Sequence, residues 1–278
     1  MSNLTVTRLI KKSLLGATLA LSAVVLLVFL ASQVEQHFFR RRAELLLTQI
    51  QSLELGKTPW SQTKGQLKNW DAESTFDDSC NESECLADVR LVEPVYGFVT
   101  RTEFFAHLDD YIRWRLKLSS SDTGPVVRLE LALLRGYMLL GGRPARIVAF
   151  VGMRDGIVSS KGYSVEIQTY WPNIRGLLPW DNFALIAAER TVSEFDLPDT
   201  NHLDPQLNLH PGYRIWRQAG CCDFEQGNVE FTPRADPNDI RRLMRLNLSC
   251  LTQIRPCASL SDIMPAAWEE YRVEHPGE

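Results

Sequence analysis

Six cysteines and five histidines, with 34 acidic side chains, are the groups in this 278-residue chain that could do chemistry. Thiol redox catalysis needs a C-x-x-C at a helix N-terminus, where the thiol pKa is lowered, and the chain contains no C-x-x-C. The cysteines read instead as structural. Cys80 and Cys85 bracket an acidic turn-forming loop, and Cys250 and Cys257 bracket Arg255-Pro256. These four are the disulfide candidates, each pair needing Cα atoms about 4.4–6.8 Å apart. Spacing alone does not fix connectivity. Cys221 and Cys222 are adjacent, would face opposite ways in a strand, and remain unassigned thiols. His202, His210, Cys221 and Cys222 match no zinc spacing. Asp77, Asp78, Glu82 and Glu84 lack the central Gly and terminal Glu of an EF-hand loop. Hydrolase, metalloprotease, Walker and dinucleotide motifs are missing. His107 sits beside Asp109 and Asp110, which a partly buried structural histidine explains. The carboxylates show no recognisable spacing. No catalytic, cofactor-binding or metal-ligating residue is therefore predicted, and no cofactor.

The element that must position everything else is Ser13 to Ser32, twenty residues without a charge. As a helix it spans about 30 Å, the thickness of a bilayer's hydrocarbon core. Signal-peptidase cleavage after Ala31 or Ser32 would put Phe29 or Leu30 at the outer small-residue position, so a retained anchor is expected. Arg8, Lys11 and Lys12 precede the span, and Arg40, Arg41 and Arg42 follow it, so basic flanks do not orient it. All six cysteines follow the span, which favours an oxidising compartment on that side. Residues 1–12 are then expected to be a cytoplasmic tail, 13–32 the anchor in the inner (plasma) membrane, and the main domain is expected to be periplasmic or extracellular. Arg40, Arg41 and Arg42 form a membrane-surface basic cluster, read as a solvated collar that fixes the depth of the helix.

Beyond the anchor, an α+β fold is expected, with an antiparallel sheet covered by helices. Residues 33–72 read as a juxtamembrane helical segment, with Phe38, Leu45, Leu46, Ile50 and Leu53 at helical spacing. Gly56 stops that helix, and Thr58 caps a new one with Pro59 at its first position. Residues 73–273 form the extracytoplasmic domain, and 274–278 a frayed tail. Strands are expected over Leu86–Glu93, from Val126, over Ala145–Met153, Ile157–Tyr170 and Phe183–Phe195, with shorter ones at Tyr213–Trp216 and Asn228–Thr232. Arg154-Asp155-Gly156 is a hairpin turn. Helices are expected from Thr100 to about Arg115, from Asp236-Pro237, and from Ser261 or Asp262 with Pro265 in the first turn.

A net charge of −4 provides no basic field, so nucleic acid is not an expected partner. Two stretches, Ser52–Gln62 (SLELGKTPWSQ) and Leu246–Tyr271 with its S-C-L-T and M-P-x-A-W features, resemble uncharacterised bacterial membrane-anchored proteins of the acidobacterial type. That resemblance implies an anchored extracytoplasmic domain and supplies no activity. The expected role is a binding or structural domain in the cell envelope; the alternative is an envelope enzyme, hydrolase-like, with an unrecognised carboxylate or His site. Expected partners are the lipid bilayer and an envelope protein, with the small-molecule substrate unspecified.

Overall fold

The computed structural model describes residues 3–70, 74–76, 80–81, 83–101, 125–169, 180–189, 212–219, 224–231, 235–253, 257 and 259–276. Its first element is one unbroken helix, α1 (Asn3–Ser52), 50 residues long. Apolar side chains from Leu15 to Val28 are exposed, so this part buries nothing of the protein itself. From Ser32 the same helix turns one face inward: Gln36, Phe39, Ala43, Leu46, Leu47 and Ile50 are all buried. Apart from Leu47, which adjoins Leu46, their spacing of three or four residues keeps them on one stripe. The apolar stretch therefore continues, in the same helix, into the domain core. The expected stripe was partly misplaced, because Phe38 and Leu45 point outward at 64% and 60% exposure.

Helix α2 (Trp60–Leu67) and a 3-10 turn (Lys68–Trp70) follow. Pro59 is the capping residue, not the first helical residue, so Thr58 is not the cap. Its hydroxyl accepts instead from the Glu54 N–H at 2.8 Å. Gly56, at φ +72°, makes the break after α1.

A seven-stranded sheet forms the body: β1 (Ser74–Phe76), β2 (Glu84–Val92), β3 (Ala145–Arg154), β4 (Ile157–Thr169), β5 (Trp180–Glu189), β6 (Tyr213–Ala219) and β7 (Phe224–Phe231). The spatial order is β1-β2-β3-β4-β5-β7-β6. Pairing is antiparallel except between β5 and β7, which are parallel. The β3–β4 hairpin turns at Asp155 (φ +52°) and Gly156 (φ +74°), the left-handed pair that suits the twist of a two-residue turn. In register, Leu91, Ile147 and Val165 form one row across the sheet, and Val89, Ala149 and Tyr163 the next. These rows share one core with the buried face of α1. The C-terminal segment, α5 (Pro237–Leu243), a 3-10 turn (Ser249–Leu251), α6 (Leu260–Ile263) and α7 (Pro265–Glu274), closes the same core through Leu243, Leu251, Leu260 and Ala267.

The sheet also grips the end of α1. Buried Lys161 on β4 donates from Nζ to the carbonyls of Gln51 (2.8 Å) and Leu53 (2.5 Å). A cation there complements the helix's negative end and its orphan carbonyls. Burial pushes the Lys161 ammonium down to about 8, so it remains charged at neutral pH. Beside it, the Tyr163 hydroxyl donates to the Met244 carbonyl, and Gln51 Nε2 donates to the same carbonyl at 3.0 Å.

Further expectations are revised. The segment from Val126 is not a strand but the core of α4 (Pro125–Leu139). Its alternation of Val127, Leu129, Leu131 and Leu133 is outweighed by the run of good helix formers Leu129-Glu130-Leu131-Ala132-Leu133-Leu134. The last helix is two: Met264 at φ −128°, ψ +64° breaks it before Pro265, as a residue preceding proline tends to. The strand expected at Phe183–Phe195 begins earlier, in β5 (Trp180–Glu189), and residues 190–195 lie outside the described ones. The helix expected from Thr100 lies mostly outside the described residues; Thr100 and Arg101 end a helix that begins earlier, α3 (Pro94–Arg101). Asp236 does cap α5, accepting from the Asn238 N–H at 2.7 Å.

Candidate functional site

Where α1 leaves its apolar stretch, the helix meets a buried polar cluster built from four other elements. β2 ends at Val92, and Glu93 then caps α3, its Oε2 accepting from the Tyr96 N–H at 2.7 Å. Pro94 follows at the first helical position, where its missing N–H costs nothing. Glu93 Oε1 accepts from the Tyr137 hydroxyl of α4 at 2.6 Å. That hydroxyl accepts in turn from Gln36 Nε2 of α1 at 2.8 Å. Tyr96 carries the network onward, its hydroxyl donating to Glu166 Oε1 of β4 at 2.7 Å. Glu166 is also ion-paired with Arg146 of β3 at 2.5 Å. Gln168 Nε2 donates to Tyr96 Oη at 3.3 Å. Glu93 is completely buried. Desolvation pushes its carboxyl above the usual range, against the opposing pull of the Tyr137, Tyr96 and Val95 donors. Burial and the adjacent Glu93 likewise push the Tyr137 phenol up.

A tight helix end presents Tyr137 to this cluster. The Gly141 N–H bonds the Met138 carbonyl, and the Gly142 N–H bonds the Tyr137 carbonyl, both at 3.0 Å. With Gly141 at φ +86°, this is the paired Schellman closure. Gln33 Nε2 of α1 donates to the Gly141 carbonyl at 3.1 Å. A Cβ on Gly142 would lie 2.3 Å from the Tyr137 ring. Gly142→Ala should therefore displace the ring, loosen α4 from α1, and cost about 1–3 kcal/mol, the range of core overpacking. A chemical-denaturation midpoint equal to wild type would contradict that placement.

Beside the cluster lies an open groove of about 790 Å³. α1 supplies Val34, Phe38 and Phe39 along one side, and Leu91, Val92 and Pro94 face them. It also takes in Leu27 and Ala31 from the apolar stretch, with Glu35 and Arg42 as its charged lining. Burial raises the Glu35 carboxyl. Chemically, the arrangement offers apolar contact with one anion and one cation. The buried carboxyls Glu93 and Glu166 are engaged by tyrosines of the fold itself, so their oxygens are turned inward.

The structure brings both disulfide candidates together: Cys80 bonds Cys85 with Cα atoms 4.2 Å apart, and Cys250 bonds Cys257 at 5.2 Å. Cys221 and Cys222 lie outside the described residues, as do His107, His202 and His210. The three arginines separate in role. Arg40 pairs with Glu44 at 2.7 Å and donates to Thr252 Oγ1 at 3.0 Å. Arg42 lies over the Trp70 ring at 5.7 Å. Arg41 is exposed. Two of the expected solvated collar thus fasten the helix to its own domain. Among the described residues, no group of three His, Cys, Asp or Glu side chains converges to hold a metal. Sequence reasoning missed Glu93, Tyr137 and Gln36. Only Glu93-Pro94 left a trace, as an acidic residue before a proline. Comparison with known proteins finds no matching family model, no similar curated protein and no similar solved structure.

Proposed function

We propose that the chain is a single-pass protein of the inner (plasma) membrane, with its N-terminus in the cytoplasm and its domain outside, and that the domain binds or scaffolds a component of the cell envelope. The observation that carries this reading is the continuity of α1. One helix runs from a stretch apolar enough to cross a bilayer into the centre of the core, without a flexible linker. Gln33 also bonds the Gly141 carbonyl at the end of α4, where a side chain on Gly141 would run into Phe29, so the domain sits directly on the exit of the span. A mount of this kind holds a surface at fixed height and angle above the lipid, which suits a scaffold or receptor. The two disulfides support an oxidising side for the domain, and the open apolar groove supports contact binding.

A topology reporter fused after Glu278 should read as external, and non-reducing mass mapping of membrane-extracted protein should recover Cys80–Cys85 and Cys250–Cys257. A cytoplasmic reporter signal, or free thiols at those four positions, would overturn the orientation.

A further inference from the structure

We infer that the C-terminal end of α4, Leu139-Leu140-Gly141, enters the lipid surface as a second membrane contact beside the span. The inference rests on the membrane reading above and adds where the domain itself meets lipid. One exposed leucine is ordinary on a protein surface. Leu139, 75% exposed, is set apart by its level, for which α1 is the ruler.

The backbone after Leu139 is tied to α1 at two heights. Gln33 Nε2 holds the Gly141 carbonyl at 3.1 Å, and Gln36 Nε2 holds the Arg143 carbonyl at 3.2 Å. From Gly141 to Arg143 the chain thus climbs away from the bilayer, by about 4.5 Å at the helical rise. On the descending side the Tyr137 hydroxyl again meets Gln36, at 2.8 Å. Leu139 to Gly141 is the lowest part of the loop. A Cβ on Gly141 would lie 2.9 Å from the Phe29 ring. Phe29 is three residues inside the apolar stretch, about 4.5 Å below its end. A helical side chain leans towards the N-terminus, here deeper still. Leu15 to Val28 are all exposed, and Phe29 is the first residue after them to be partly covered. A bilayer that covers Ser13 to Ser32 therefore also receives the end of α4. Lys11 and Lys12, directly before Ser13, resist a shift of the span that would lift the turn out.

The turn is also built for that place. Backbone in lipid must be paired within the protein. The N–H groups of Leu140, Gly141 and Gly142 bond to the carbonyls of Gly136, Met138 and Tyr137. Gln33 takes the Gly141 carbonyl, and Arg143 Nη1 takes the Gly142 carbonyl at 2.8 Å. From Gly136 to Gly142 no side chain carries a charge. With α1 alone in lipid the domain could turn about the span; a second contact fixes its rotation and tilt.

The test places a fluorescent amino acid at Leu139 in the full chain, in phosphatidylcholine vesicles whose lipids carry a doxyl quencher high on the acyl chain. Leu30, in the span, is the positive control. Leu45, exposed on α1 thirteen residues past Ser32, and Lys64, exposed on α2, are the negative ones. The Leu139 probe should lose as much emission as the Leu30 probe, with Leu45 and Lys64 unquenched. A Leu139 probe quenched no more than Leu45, while Leu30 is quenched, overturns the second contact and leaves the anchor standing. Blue-shifted emission at Leu139 without doxyl quenching, the sign of a protein cover, overturns it as well. An unquenched Leu30 probe defeats the membrane reading itself. The unaltered chain repeats the test without a substitution: a carbene precursor carried on an acyl chain should label the peptide that holds Leu139 and Leu140 and spare the one that holds Leu45. Label confined to α1 would overturn the contact.

Discussion

Leu46→Ala should cost about 3–5 kcal/mol of unfolding free energy, the upper part of the range for a buried leucine truncated in a packed core, while the adjacent Leu45→Ala should cost less than about 0.5 kcal/mol, as surface changes do. Both are read by denaturant unfolding of the full chain in mild detergent, followed by tryptophan fluorescence. Leu46 is wholly buried and Leu45 largely exposed, although they are neighbours on one helix. The large value follows from where Leu46 sits. It belongs to the single cluster that joins α1 to Ile147 and Val165 of the sheet and to Leu243 and Leu260 of the C-terminal helices. Removing its branched end opens a void at the junction of three layers, and the surrounding rigid elements can close it only in part. Losses of similar size at the two positions would mean that the buried face of α1 is wrongly oriented.

The same pair of leucines shows what could be read from the sequence and what could not. That α1 continues past its apolar stretch is visible, because Phe38 to Leu53 repeats at helical spacing. Which of two apolar stripes faces inward is not visible. The segment carries one set at Phe39, Ala43, Leu46 and Ile50 and another at Val34, Phe38 and Leu45, and both have helical period. The choice is made by the sheet: Ala87, Ala145 and Ala149 on its buried face leave room for a helix. Small residues in a strand signal such an approach only once the partner is known. The β3–β4 hairpin was legible for the opposite reason. Asp155-Gly156 dictates a turn locally, and the strands on either side alternate cleanly. β5 and β7 being parallel was not legible, because nothing local distinguishes a strand that pairs with its successor from one that waits for a later element.

The polar cluster is the part least visible in sequence, and its pieces explain why. Gln36, Glu93, Tyr137 and Glu166 come from α1, the β2–α3 junction, α4 and β4. No spacing relates them, and each residue alone reads as ordinary. Asp236-Pro237 was recognisable as a helix start because Asp is a favoured cap. Glu93-Pro94 has the same form with a longer, less favoured side chain. The length is what allows Glu93 to serve two masters, the Tyr96 N–H of its own helix and the Tyr137 hydroxyl of the next.

That double role gives Glu93 the second large effect. Glu93→Ala should cost about 2–6 kcal/mol, about 1–3 for each of two buried donors left without a partner: the Tyr96 N–H that Glu93 caps and the Tyr137 hydroxyl. Glu93→Gln keeps the shape and one good acceptor and should cost only about 1 kcal/mol. The two variants differ more sharply in pH dependence. Desolvation raises the folded carboxyl above its ordinary value near 4.5, so in the interval above 4.5 the folded chain holds a proton that the unfolded chain has released. Stability contributed by this group is complete below the unfolded pKa and is lost as pH climbs through the raised folded pKa. Burial raises Glu35 and Glu230 as well, and their slopes have the same sign. Wild-type stability alone therefore does not isolate Glu93, but its difference from the Gln variant does. That difference, measured from pH 4 to pH 8 by denaturant unfolding, should narrow as pH rises, because only the wild type carries the cost of ionising at position 93. A difference that stays flat across the interval would mean that Glu93 ionises freely in the fold, and that the Tyr137 and Tyr96 donors outweigh the burial of its charge.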